Sequence, residues 1–470
     1  MRKAKTFLFL LIFFSACAPK VEIKKDLPPL PESFVNSQAN STLPQLPERW
    51  WEIFGIEELN RLVEKVLSAN HDLIKARFRI EELSARLKKA RAERFPEVNL
   101  DFSGTRSRTS FSRGIGPPQG FIYGEFQGAV LASYEVDLWR RLSSAEKAAY
   151  FEVLSAEESR LALAQSLAAE AVSRYLEAAF YNCELKILSE EVRISEKRLS
   201  LLQKRFEAGL FPAARLLEEE KKLSALKALL PETRRALREA LQELELLSGS
   251  YPAGTFQIRE TSSVCKSEIS PPPPGLPSEL LKRRPDIRAA EAKLRAAAEM
   301  VKVARAARFP HLMLTVEEGR VSNALSDLLS HQNRLWTLSF DLTQPLFNAG
   351  KLKAEEVASR KILRQAEEEY VQTVLEAFRE VEFGLLSEEK LRKVLLETQK
   401  ELMAASLSLS FYENRFKKGL ISLPDYLDFK IQTLEAQRKV LRARRSLILN
   451  RIFLFRALGG GFNLPGKETS

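Results

Sequence analysis

The chain has 470 residues, 45% hydrophobic and 29% charged, with 73 Lys+Arg against 62 Asp+Glu for a formal charge of +11. It is too apolar for disorder, and its basic residues are too interleaved with acids for a dedicated nucleic-acid surface. No apolar run beyond the first residues reaches bilayer-spanning length, which excludes a polytopic helical membrane protein, and three cysteines supply no disulfide framework.

The N-terminus reads as an address. Arg2, Lys3 and Lys5 precede the apolar run Phe7 to Phe14, a pattern of a signal peptide over 1–16. Ser15-Ala16-Cys17 comes next. Two readings fit it: an ordinary signal peptide with an incidental cysteine, or a lipobox-like site whose Cys17 becomes a lipidated mature N-terminus. Phe14 departs from the aliphatic residue usual in that box, and the resemblance to such sites implies that Pro19 in place of aspartate favours the outer membrane. The Pro-, Ser- and Asn-rich stretch after it reads as a tether, taken here as 17–55.

The rest of the chain is duplicated. Lys88 to Leu100, KKARAERFPEVNL, matches Lys302 to Leu314, KVARAARFPHLML, at eight of thirteen positions with an offset of 214. Further on, Arg205-Phe206-Glu207-Ala208-Gly209-Leu210 answers Arg415-Phe416-Lys417-Lys418-Gly419-Leu420 at an offset of 210, as Arg141-Leu142 answers Lys351-Leu352. The four-residue difference falls between residues 100 and 141 and marks a loop or hairpin there.

Within each copy the period changes. Residues 56–94 and 284–308 have helical spacing, and Phe-Pro at 95–96 and 309–310 ends each helix. Strict alternation comes after it: Val98, Leu100 and Phe102 on one side of a strand, Leu312, Leu314 and Val316 on its counterpart. A second strand sets Phe126, Val130, Tyr134, Val136 and Leu138 on one side, and its counterpart Trp336, Leu338, Phe340 and Leu342. Such strands suit a tilted bilayer crossing or a half-buried soluble sheet, and alternation alone does not separate the two. From Leu142 to Ala208 and from Leu352 to Lys418 there is no proline, which gives rods of about 100 Å. Leu185, Val192, Leu199 and Phe206, and again Leu395, Leu402, Leu409 and Phe416, form seven-residue stripes that imply coiling against a partner. Gly209 and Gly419 end the rods, and helical sequence resumes after Pro212 and Pro424, with Pro231 expected to interrupt the first return helix. The expected organisation is a first repeat over 56–249, a proline-rich linker over 250–283, a second repeat over 284–459 and a tail over 460–470. The fold class is α+β: helical hairpins in a long coiled-coil barrel, with a four-stranded contribution to a β-barrel.

These residues carry a resemblance. The stretches LLKRRPDIRAAEAKLRAAAEMVKVARAARFPHLMLT (280–315), LTQPLFNAGKL (342–352) and ALGGGF (457–462) resemble the TolC-type outer-membrane efflux proteins, in particular their OprM- or NodT-like lipoprotein branch. The resemblance implies a homotrimer whose protomers each donate four strands to one barrel, with a helical tunnel across the periplasm. It also implies a passive exit duct joined to a periplasmic adaptor and an inner-membrane pump, located in the outer membrane and lipid-anchored. Family members often carry glycine after the aromatic where this chain has Trp139-Arg140, and tryptophan where it has Phe462.

Asp425 and Asp428 lie three apart at the start of a return helix, hence on one face. Under three-fold symmetry each becomes a ring of carboxylates that attracts cations. The matching positions of the TolC pattern hold paired aspartates at the constriction. The competing reading is a solvated acidic pair favoured by the helix dipole. Arg215 occupies the place of Asp425 in the first copy and is a candidate gate latch; the family's basic latch residue two after the glycine is Ile421 here. Arg205, Phe206, Gly209 and Leu210, with Arg415, Phe416, Gly419 and Leu420, are candidates for adaptor docking, although both phenylalanines also continue the heptads as coiled-coil core.

No catalytic constellation is present. His71, His311 and His331 share no ligand spacing, so no metal or cofactor is expected, and Gly461 to Lys467 imitates a phosphate loop without its Ser/Thr. Cys183 and Cys265 read as buried or free thiols. The remaining alternative to an exit duct is a non-conducting, lipid-tethered periplasmic coiled-coil adaptor, which bilayer-length hairpins do not suit.

Overall fold

The structure, a computed structural model, describes residues 21–25, 27–29, 31, 33–36, 47–110, 120–259, 264–265, 269–273, 275 and 277–460. The signal peptide, Cys17 and Phe462 with the rest of residues 461–470 lie outside them. The helices are α1 (Glu57–Ala69), α2 (His71–Ala92), α3 (Arg141–Glu207), α4 (Ala213–Leu247), α5 (Pro277–Arg283), α6 (Pro285–Ala306), α7 (Lys351–Lys417) and α8 (Leu423–Ala457). The strands are β1 (Glu97–Ser110), β2 (Gly120–Val136), β3 (His311–Ser322) and β4 (Arg334–Thr343). Both long helices have 67 residues and both return helices 35, and the paired helices keep the 210 offset from start to end.

The chain divides into two compact units. The first holds the sheet and the adjoining ends of α2, α3, α6 and α7. Its strands pair antiparallel in the order β1-β2-β3-β4. The register aligns Val98, Ala132, Val316 and Leu338 in one row, and Leu100, Val130 and Trp336 in another, where β3 places Glu318 between the last two. The apolar sets of all four strands therefore share one face, as a period of two requires. That face is bare within the chain: Leu100 is 80% exposed and Phe340 76%. The other face carries Glu97, Ser133, Thr315 and Ser339 in one row. Where strands meet helices, Trp139 stacks on Phe309 at 4.8 Å, and its indole N–H donates to the Pro310 carbonyl at 2.9 Å.

The second unit is helical. Leu59, Leu62, Val63 and Val66 of α1 recur at helical spacing and are all buried. The alanines of α3 at 164, 168, 171, 178 and 179 are fully buried and let neighbouring helices approach closely, around Tyr175, Phe180 and Leu188. The RRPD stretch explains itself here. Arg284 donates to both oxygens of Asp286 (3.1 and 2.7 Å), to Glu380 (2.7 Å) and to the Ala457 carbonyl (2.9 Å). Gln165 donates to the Gly459 and Gly460 carbonyls at 2.8 and 3.1 Å. Together they satisfy carbonyls left open at the end of α8.

Four expectations change. The helix expected over 56–94 is split at Asn70, whose side-chain oxygen accepts from the Asp72 amide at 2.9 Å and starts α2 afresh. Pro231 does not interrupt α4, which runs unbroken through it. The carbonyl that loses its donor belongs to Lys227, on an exposed stretch open to solvent. Cys183 and Cys265 are not thiols but a disulfide, which pins the linker to α3 across 82 residues of sequence.

The fourth change is the segment before α1, which is not a free tether where it is described. In the first unit the Lys24 amide donates to Glu367 and the Lys25 ammonium to Glu291, both at 2.8 Å. In the second, Glu382 accepts from the amides of Val35 and Asn36, Phe34 is 2% exposed beside Phe378, and Trp50 stacks on Phe455. Its aromatics are buried, and its extended backbone offers amides to carboxylates on α7.

Candidate functional site

The tips of the two helical hairpins are built alike. Gly209 and Gly419 adopt φ of +72° and +71°. The amides of Leu210 and Leu420 reach back to the carbonyls of Arg205 and Arg415 at 2.8 and 2.9 Å, closing each long helix with a left-handed cap. A Cβ at either glycine would meet nothing within 4 Å, so backbone conformation alone asks for glycine there. Of the candidate docking residues, Leu210, Leu420 and Phe206 project into solvent. Arg205 is half-buried, Arg415 lies over the Phe411 ring, and Phe416 stacks on Tyr426 at 5.2 Å. The heptad stripe thins toward the tip: Val192 is buried, Leu199 half-buried and Phe206 exposed.

Asp425 and Asp428 open α8 just beyond the second tip. Asp425 is exposed and accepts a hydrogen bond from the hydroxyl of Ser422, the residue before α8 begins. Asp428 accepts from the Gln432 amide at 2.7 Å and meets the Arg198 guanidinium at 3.2 Å. Arg198 was not singled out from the sequence. From α3 it also pairs with Glu219 of α4 and donates to the Pro424 carbonyl at 3.2 Å, so one side chain ties three helices together. Its signal lay in the duplication, because the matching position of the second copy is the uncharged Ser408. Arg215 is exposed and makes no ion pair among the described residues.

Arg198 belongs to a series. Glu184, Glu191 and Arg198 are seven apart on α3 and each meets a residue of α8. Glu184 pairs with Arg442 at 2.6 Å, and Glu191 with Arg438 at 2.7 and 3.3 Å. The Glu191–Arg438 pair is buried on both sides, at 4% and 9% side-chain exposure. Burial pushes the Glu191 carboxyl above the ordinary range even though Arg438 pulls it down. A ladder of charge pairs thus joins the first repeat to the second, buried midway and half-open at the tip. Among the described residues no group of His, Cys, Asp and Glu could hold a metal ion, and no helix is long and apolar enough to cross a membrane.

A family model described as outer membrane efflux protein matches residues 62–250 and 276–460. The pyoverdine export outer membrane protein OpmQ of Pseudomonas aeruginosa is 30% identical over 422 residues, 88% of this chain and 87% of the relative. The probable outer membrane lipoprotein SilC of Salmonella typhimurium is 26% identical over 461 residues, 97% of each. Among solved structures, the outer-membrane channel OprN superposes with a TM-score of 0.84 at 24% identity, covering 95% of this chain and 99% of that one.

Proposed function

The chain belongs to the outer membrane efflux protein family, and from that premise we propose that three copies of it close one barrel and one periplasmic tunnel. The protein is an outer-membrane exit duct of an efflux system. The observation that carries the trimeric reading is the sheet. Its four strands turn one apolar face outward, and the outer edges of β1 and β4 have no partner strand among the described residues. A bare apolar face with two open edges is unstable in water, whereas edge-to-edge closure inside a bilayer satisfies both.

The two repeats, 56–249 and 284–459, then supply one hairpin each on either side of the linker 250–283. Their tips project into the periplasm, where Leu210, Leu420 and Phe206 offer an apolar surface to an adaptor that couples the duct to an inner-membrane pump. Substrates are small molecules delivered by that pump, as the pyoverdine export named for OpmQ suggests. Lipidation of Cys17, in line with the lipoprotein designation of SilC, anchors the N-terminus in the outer membrane.

Asp425 contributes an exposed carboxylate to a three-fold ring at the constriction. Asp428 contributes a second that is partly neutralised by Arg198 while the tip is closed. Arg198 is better placed than Arg215 to hold that state. The test is planar-bilayer conductance of the purified protein beside the double variant Asp425→Ala, Asp428→Ala. Discrete cation-preferring pores whose preference drops in the variant support the duct and the carboxylate constriction together. Unchanged selectivity removes the aspartates from the constriction, and an inserted protein that never conducts removes the duct.

A further inference from the structure

We propose that a basic pocket at the helix end of the sheet, between α2 and α3, binds the phosphate of an anionic phospholipid headgroup. The pocket lies wholly within the first unit and has a volume of about 660 Å³. Arg91, Arg94, Arg140 and Lys147 line it, against the single acid Glu146. Arg94 comes just before β1 and Arg140 just after β2, and Glu97 pairs with Ser133, so both arginines sit at one end of the sheet. If the chain is an outer-membrane duct, on which this inference rests, that end faces the headgroups of the periplasmic leaflet.

The second copy acts as an internal control. Its Arg308–Glu356 pair repeats Arg94–Glu146, at the offsets of 214 and 210 that hold on either side of the first hairpin. The second partner of Glu356 is Arg360, at the place of Tyr150, whereas that of Glu146 is Arg91, whose match is Arg305. The first copy adds two cations that its pairs leave over. Where the first copy has Arg140 and Lys147, the second has Gly350 and Val357. Both cations make no ion pair among the described residues.

Arg140 also holds a backbone that suits it poorly. Its φ is +59°, and Gly350 at the matching turn has +82°. A left-handed arginine is strained where glycine is not, and such strain persists where the side chain supplies something in return. An added positive charge over a basic pocket is a candidate for that return. The first amides of α3 are not the attraction, because Asp137 already accepts from Leu142 and Ser143 at 3.0 and 2.8 Å. Leu87 and the half-exposed Tyr150 add apolar wall, which suits an amphipathic ligand better than a free ion. Basic pockets beside membrane-spanning elements commonly take anionic headgroups.

The experiment uses the full protein in lipid nanodiscs that mix phosphatidylglycerol with phosphatidylcholine. Lipid retained by the protein is read by native mass spectrometry, insertion is checked by co-elution of protein with the nanodiscs, and conductance is measured in planar bilayers of the same lipid mixture. Two variants are compared with wild type: Arg140→Gly, which relieves the backbone, and Arg140→Gly with Lys147→Gln. Wild type should retain phosphatidylglycerol preferentially, with that preference falling roughly fivefold for each cation removed. The glycine variant should fold at least as well as wild type, which separates loss of lipid from loss of structure. Equal lipid preference in all three conducting proteins overturns the proposal and leaves the duct intact. Displacement of the lipid by millimolar inorganic phosphate overturns the commitment to a headgroup. A protein that inserts but never conducts takes the duct reading down, and this inference with it.

Discussion

The two copies share a backbone frame and differ in what fastens it. In the second hairpin the fastening is aromatic: Tyr412 stacks on Phe429 at 3.6 Å between centroids, and Phe416 on Tyr426 at 5.2 Å. In the first hairpin the matching positions are Leu202, Glu219, Phe206 and Leu216, and the fastening is Arg198 pairing with Glu219. Stacked rings hold a hairpin as one body whatever the salt or pH. An ion pair near solvent is weaker, is screened, and can change partners. Arg198 does reach a second partner, Asp428, on the return helix of the other copy. The difference predicts that, when the tip opens, the second hairpin moves as a unit and the first supplies the releasable contact.

The largest effect is expected where the two copies are joined in the interior. Removing Arg438 as Arg438→Leu leaves the Glu191 carboxyl buried without its partner, which should destabilise the fold by about 3–5 kcal/mol. Replacing both partners, Glu191→Leu with Arg438→Leu, should recover most of that loss, because the unpartnered buried carboxyl rather than the missing pair is costly. Chemical denaturation of the purified protein in detergent measures both. A double variant as unstable as the single one would mean that the seam depends on the pair itself.

A middle-sized effect should separate the hairpins. Arg198→Ala and Tyr412→Ala each cost about 1–3 kcal/mol in stability. Only Arg198→Ala should raise the resting open fraction of the channel, since only it frees α8 from the first hairpin. Raised salt should mimic Arg198→Ala in wild type and leave the variant unaffected. Equal gating in the two variants would erase the division of roles.

Backbone features were legible in the sequence because each has a local cause. Phe-Pro at 95–96 and 309–310 ends helices by steric exclusion, Gly209 and Gly419 close them by permitting positive φ, and alternation after each proline sets the apolar faces of the strands. Pro231 shows the limit of such local causes, since a proline on an exposed helix face leaves a carbonyl open to solvent. The fasteners were not legible, because each depends on residues brought together from far apart. Cys183 meets Cys265 across 82 residues and Glu191 meets Arg438 across 247, and no periodicity announces either pairing. Arg198 was half-visible as a charge facing Ser408 in the duplication. The burial of Phe34 in a proline-rich stretch had no sequence signal at all.

The smallest effect concerns how the first copy ends. The return helices close alike, with Gly249 and Gly459 at φ +67° and +81°, but different groups secure the two ends. At the end of α8 it is Arg284, a permanent cation. Beyond α4 it is Glu245, which accepts from the amides of Gly254, Thr255 and Phe256 at 2.5, 2.8 and 2.9 Å. Burial pushes this carboxyl up, but the three amides and the Thr255 hydroxyl outweigh it and hold it below the ordinary range. A depressed folded-state value means that Glu245 stabilises above the unfolded glutamate range, near about pH 4.3. That contribution is lost as pH falls through the lower folded value. Glu245→Gln should therefore melt below wild type at about pH 7, with the gap closing as pH drops under about 4. Arg284→Gln should also open a gap, which narrows only as its partners Asp286 and Glu380 become protonated. A Glu245→Gln gap that stayed constant from about pH 7 to about pH 3 would show that shape rather than charge holds the start of the linker.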